Sequence, residues 1–116
     1  MSEPAIDRII YNDLKETVGE DFFQELVDTF LIDTTMLVGD LGEALEKNDT
    51  DTVRRTAHSL KSNSATFGAT RLSLLAKEME MMAKSGDLED GFSKLALISD
   101  EYKRVQLEIE AYINGT

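Results

Sequence analysis

The 116-residue sequence contains no cysteine, which excludes disulfides, thiolate zinc sites and cysteine catalysis. Its single histidine, His58, excludes a multi-histidine metal site as well. Proline occurs once, at Pro4, so from Ala5 to Thr116 the breaks between elements are to be sought at Gly and at Asn/Asp clusters. No run approaches 18 apolar residues, and the opening MSEPAIDRII lacks a basic start followed by an unbroken apolar core. Neither a membrane span nor a secretory leader is expected, and the chain reads as a cytoplasmic protein or a cytoplasmic domain. Cations are scarce too: 12 Lys and Arg stand against 23 Asp and Glu, a net charge of -11. That balance argues against a general binder of nucleic acid or anionic membrane and points toward protein partners.

What is present is 41% apolar and 30% charged residues, the composition of one folded domain spanning 1–116. The apolar residues recur every three or four positions. Ile6, Ile9, Ile10 and Leu14 predict a short first helix ending near Gly19. Phe22, Phe23, Leu26, Val27, Phe30, Thr34, Leu37, Val38, Leu41 and Leu45 predict a long second helix from about residue 21 to 47, with Gly39 and Gly42 the place for a bend. Asn48 to Asp51 supplies a turn and helix-capping candidates. A third helix follows to Phe67, closed by Gly68, and a fourth from Ala69 to Lys84. Asp87 is the expected N-cap of the last helix, which runs through Leu88, Phe92, Leu95, Ile98, Tyr102, Val105 and Ile109. Amphipathic helices joined by short loops must bury their stripes against one another. The expected fold is all-α, an antiparallel up-down-up-down four-helix bundle with a short additional N-terminal helix.

The acidic residues are unevenly distributed. The 26 residues from Thr52 to Lys77 contain no Asp or Glu, where the average frequency would place about five. The same stretch holds Arg54, Arg55, Lys61, Arg71, Lys77 and His58, and a local basic surface on an acidic protein suits a bound anion. With Ala57 as origin and about 100° per residue, Val53, Leu60, Ser64 and Phe67 fall within about 80° of one another, and His58 lies about 100° off that stripe. Arg54, Lys61 and Ala65 lie on the same side, with Ser62 and Arg55 farther round. Side chains lean toward the helix N-terminus, so small Ser62, four positions on, leaves the imidazole uncrowded. Geometry alone also fits an ordinary surface histidine, a solvated basic face and small residues that merely let helices pack closely. Met79, Met81 and Met82 read as core filler and its flank.

The segment Thr56-Ala57-His58-Ser59-Leu60-Lys61-Ser62-Asn63-Ser64-Ala65-Thr66-Phe67-Gly68-Ala69, followed by Leu72 and the Leu75 to Glu80 run, resembles the histidine-containing phosphotransfer (HPt) domain family. That family carries an Ala-His-x-Leu-Lys-Gly-x-Ser pattern, a Gly four residues later and a Leu four beyond that. Ala57, His58, Leu60, Lys61, Ser64, Gly68 and Leu72 match, and Ser62 stands where the family most often has Gly. The resemblance implies that His58 is the phosphoacceptor and that Lys61 lies beside the phosphoryl group. It gives Leu60, Ser64, Gly68 and Leu72 structural roles. It also implies a phosphocarrier without kinase activity, monomeric, that docks response-regulator receiver domains, including that of a hybrid sensor kinase. No cofactor is expected on this chain, and Mg²⁺ would sit in the receiver's acidic pocket.

The chemistry agrees with the residue types. A neutral imidazole offers a nucleophilic nitrogen near neutral pH, and phosphoryl transfer asks mainly for positioning and charge stabilisation. Arg54, Arg55, Ser62 and Ala65 are the candidate docking residues, extended by Leu37 or Val38 on the second helix. No Gly-rich loop for ATP is visible. The alternative is a noncatalytic helical adaptor that keeps the scaffold and binds a receiver or another signalling protein.

Overall fold

The computed structural model describes residues 3–115. Five helices follow one another: α1 (Arg8–Val18), α2 (Glu20–Glu46), α3 (Thr50–Thr66), α4 (Thr70–Ser85) and α5 (Gly91–Ile113), with no strand among the described residues. Helix α2 touches α3, α3 touches α4, α4 touches α5, and α5 closes back on α2. The four long helices therefore stand at the corners of a square in chain order, with α1 laid across α2 and α3 at one end. Side-chain register shows the antiparallel sense: Ser73 and Glu80 of α4 reach Lys61 and His58 of α3, and Arg71 and Glu78 of α4 reach Glu101 and Lys94 of α5.

The core is built from the expected stripes. Val27, Leu41, Val53, Leu60, Leu72, Met79, Ile98, Val105 and Ile109 are all sealed from solvent. Ala57 of α3 and Ala76 of α4 are fully buried, and such short side chains let these two axes approach closely. An aromatic chain fills the α1 end: Tyr11 meets Phe23 edge-on at 5.0 Å between centroids, and Phe67 stacks on Phe30 at 4.5 Å. The Tyr102 hydroxyl donates to the Leu31 carbonyl at 2.8 Å, tying α5 to α2.

Several local expectations need correction. Helix α1 begins at Arg8, because the Asp7 carboxylate accepts from the N–H groups of Ile9 and Ile10. Ile6 is thus buried ahead of the helix, Ile9 faces solvent, and Tyr11 takes the inward position. Phe22 and Phe92 are exposed; Phe23 takes the inward place beside Phe22. By contrast, the expectation of one long second helix holds, since α2 runs through Gly39 and Gly42 without interruption. Asp87 is not the N-cap of α5: its carboxylate accepts from Glu89 N–H in a turn, and Asp90 stands at the cap position without a side-chain cap bond. The extra turn delivers Gly91 against Leu45, where an added Cβ would lie 2.5 Å from a Leu45 methyl carbon.

The α3–α4 junction is a Schellman motif. Gly68, at φ +80°, donates its N–H to Ala65, and Ala69 donates to Ser64. The Gly68 carbonyl in turn accepts from Asp7 N–H at 2.8 Å, and a Cβ at position 68 would lie 2.8 Å from the Asp7 carbonyl oxygen. The residues just before Asp7 are held by α5, since the Glu108 carboxylate accepts from Ala5 and Ile6 N–H.

Candidate functional site

Helix α3 starts where Asp49 caps it, its carboxylate accepting from Thr52 N–H at 3.1 Å and from the Thr52 hydroxyl at 2.6 Å. With Val53, Ala57, Leu60 and Ser64 fixed in the core, His58 is turned out of it, 58% of its side chain exposed. The turn is toward α4. There the imidazole Nδ1 meets Glu80 Oε2 at 2.9 Å, and Lys61 Nζ meets the other oxygen, Oε1, at 2.8 Å. Lys84 Nζ lies 3.7 Å from Oε2.

Glu80 is the residue that sequence reasoning missed. Its side chain is 6% exposed, one of the few charged groups sealed inside the bundle. A buried carboxylate persists only when paired and hydrogen-bonded. The ammonium of Lys61, above all, holds its carboxyl well below the ordinary 4.5, down to about 2, against the opposing effect of burial and with help from the His58 hydrogen bond and the charges of Lys61 and Lys84. Near neutral pH it is therefore an anion and can only accept hydrogen bonds. The proton of that bond must consequently sit on Nδ1, which assigns the imidazole tautomer and leaves the Nε2 lone pair free of the carboxylate.

The signal for Glu80 was in the sequence. Leu72, Ala76, Met79 and Ala83 form the buried stripe of α4, and Glu80, four residues after Ala76, falls on its edge. An acid there demands a cation from the facing helix. The 26-residue clearance in sequence is thus not a clearance in space: antiparallel packing returns Glu80 to its middle, and Asp51 stands at its start.

The remaining candidates fall in three places. Arg54 and Arg55 both turn back to Asp51, at 2.8 and 3.0 Å, rather than toward His58. Ser62 and Ala65 are exposed beside the histidine, and Leu37 and Val38 are half-buried against the core. Leu60, Ser64, Gly68 and Leu72 are buried, the Ser64 hydroxyl without a hydrogen-bond partner. Among the described residues no group of three or more acids or histidines is arranged to hold a metal ion. No helix of the described residues is long and apolar enough to cross a membrane.

An exposed imidazole, held as one tautomer by a buried acid and flanked by a lysine, stands on a helix whose sequence fits the Hpt domain model across residues 25–111. The chain belongs to the Hpt domain family. The phosphorelay protein LuxU of Vibrio cholerae is 36% identical over 84 residues, 66% of this chain and 68% of that protein. LuxU of Vibrio harveyi is 28% identical over 90 residues, 78% and 79% of the two chains. Among solved structures, histidine-containing phosphotransfer protein B (HptB) from Pseudomonas aeruginosa PAO1 is 32% identical and superimposes with a TM-score of 0.86, covering 94% of this chain and 96% of that one. The maize protein ZmHP2, at 19% identity, shares the fold, with a TM-score of 0.84 over 97% and 91% of the two chains. As an Hpt domain protein, the chain carries out histidine phosphotransfer within a two-component relay, as a phosphocarrier without kinase activity of its own.

Proposed function

We propose that His58 is the phosphorylated residue and that the phosphoryl group reaches it from, and leaves it to, the aspartyl phosphates of receiver domains. The observation that carries this reading is the hydrogen bond from His58 Nδ1 to Glu80, which leaves Nε2 as the nucleophile on an exposed ring. In the forward step the Nε2 lone pair attacks phosphorus in line, the N–P bond forms, and the P–O bond to the aspartyl carboxyl breaks, releasing a carboxylate. The ring keeps its Nδ1 proton and so gains positive charge as the bond forms. Glu80 offsets that charge and holds the ring plane. Lys61, one turn beyond His58, supplies an ammonium for the phosphoryl oxygens, and its bond to Glu80 positions it before the donor arrives. The same steps run backward deliver the group to a second receiver.

Mg²⁺ would be held by the receiver's own acidic residues and would there offset phosphoryl oxygen charge. The chain acts as a cytoplasmic monomer of one domain, with receiver domains, including those of hybrid sensor kinases, as its partners. Ser62 and Ala65 leave the ring accessible, and Arg54 and Arg55 are available to a partner because exposed ion pairs such as theirs to Asp51 are weakly held.

The test is phosphoryl transfer from a panel of phosphorylated receiver domains, with Mg²⁺, to the wild-type chain and to His58→Gln. Rapid, acid-labile labelling of the wild type alone, with His58→Gln still helical and monomeric, is the expected result. Labelling of the variant would move the acceptor elsewhere. Absence of labelling from every receiver would favour the adaptor reading.

A further inference from the structure

The exposed ring of His58 has one occupied side and one open side. Glu80 and Lys61 stand on the side toward α4, where Lys61 is fixed twice: its ammonium meets Glu80, and its carbonyl accepts from the Ser73 hydroxyl at 2.9 Å. At about 100° per residue Lys61 lies about 60° from His58 toward α4, and Ser62 lies about 40° from it in the opposite sense. The Glu80 bond draws Nδ1 to the α4 side. The two nitrogens of an imidazole point in divergent directions within the ring plane, so Nε2 is turned away from Glu80.

Ser62 supplies the hydroxyl on that other side. Residues four apart on a helix stand about 5–6 Å apart at Cβ, and a helical side chain leans over the turn before its own Cα, so Ser62 reaches back toward His58. The residue is exposed, and its carbonyl accepts from the Thr66 hydroxyl at 3.0 Å. A hydroxyl within a helix commonly bonds the carbonyl four residues earlier, as those of Thr17, Thr35 and Thr66 do here. For Ser62 that carbonyl belongs to His58, and the bond is not made: Ser62 Oγ has no hydrogen-bond partner among the described residues. Arg55, the cation on this side of the ring, is turned to Asp51 at 3.0 Å.

We propose that Ser62 is a phosphoryl-binding residue, its hydroxyl donating to an oxygen of the phosphoryl group on His58 from the side opposite Lys61. This rests on the phosphotransfer reading above. A phosphoryl group on Nε2 presents three negatively charged oxygens, and Lys61 meets them while it also serves Glu80. A neutral donor on the free side adds a charge-assisted hydrogen bond, one of the stronger kinds. The hydroxyl keeps its proton throughout, and no covalent bond to it forms or breaks. It lowers the free energy of the phosphohistidine and does nothing for the aspartyl phosphate once the group has left. Ser62 therefore sets how far the transfer equilibrium lies toward the carrier.

The experiment mixes the receiver that labels the wild-type chain most fully, phosphorylated and with Mg²⁺, with wild type, Ser62→Ala and Ser62→Gly in turn. The quantity read is the ratio of phosphorylated chain to phosphorylated receiver once it has become constant. Both variants should lower that ratio by about threefold or more. Ser62→Ala is the decisive one, because it removes the hydroxyl alone and favours the helix, and its circular dichroism should match the wild type. Ser62→Gly separates the hydroxyl from mere bulk: a side chain that acted only by crowding the ring would make the glycine variant the better acceptor. A wild-type ratio in Ser62→Ala, or a ratio above wild type in Ser62→Gly, overturns the proposal and leaves the phosphotransfer reading intact. If no receiver labels the wild type, that reading fails and the assignment of Ser62 falls with it.

Discussion

At the scale of single residues, one carboxylate organises the site. Glu80 receives His58 on one oxygen and Lys61 on the other, so its removal should disturb both the ring tautomer and the waiting cation. Glu80→Gln keeps the shape but not the charge, and its amide can donate to Nδ1 and send the imidazole proton to Nε2. Transfer to His58 in that variant should fall by about tenfold or more, read as single-turnover labelling at saturating receiver. The same carboxyl gives a pH signature. Its folded-state pKa of about 2 lies below the ordinary 4.5, so in acid the unfolded chain takes up the proton first. The stabilisation is complete above about 4.5 and is lost as pH falls toward about 2. Urea midpoints measured across that window should drop in the wild type and drop less in Glu80→Gln. His58 and Lys61 could be picked out from sequence because their motif is contiguous. Glu80 lies 22 residues beyond the histidine, and only the register of α4 against α3 brings it in.

Among elements, the junction between α3 and α4 decides how rigidly the histidine helix is held. Gly68 combines a left-handed backbone with an approach to the Asp7 carbonyl that leaves no room for a Cβ. Gly68→Ala should therefore destabilise the chain by about 1–3 kcal/mol, visible as a lowered midpoint in thermal or urea unfolding. At the opposite end of α3, Asp49→Ala removes a cap that binds both the N–H and the hydroxyl of Thr52, at a cost of about 1 kcal/mol. Helix number, order and lengths were legible because the apolar period continues unbroken through α2, Gly39 and Gly42 included, and because Gly68 and Gly86 close α3 and α4. The start of α5 was not. Asp87 carries every local mark of an N-cap, yet the chain spends one further turn bringing Gly91 against Leu45, a tertiary demand that no local pattern records. The same limit applies to α1, where the inward place goes to Tyr11 because its ring meets Phe23 of α2 and Tyr112 of the distant α5.

On the scale of the whole molecule, net charge and local charge make opposite predictions. At -11 the chain as a whole repels an acidic partner, and screening by salt would then speed their association. Helices α3 and α4, which carry His58 and Glu80, hold six cations against three acids. The association rate constant with a receiver, measured by stopped flow between about 50 and 300 mM salt, should fall as salt rises. The whole-chain arithmetic of the sequence pointed away from anionic ligands, and only the clustering of cations near His58 pointed toward one. How strongly the bundle separates the two signs depends on which helices become diagonal neighbours, a property of topology. With eight acids and no Lys or Arg on α2, against a surplus of three cations on α3 and α4 together, the two signs of charge lie toward different sides of the bundle. On a positively charged bead or film it should therefore settle in one orientation, α2 against the support and the imidazole outward, so that an adsorbed layer stays competent to receive phosphoryl groups.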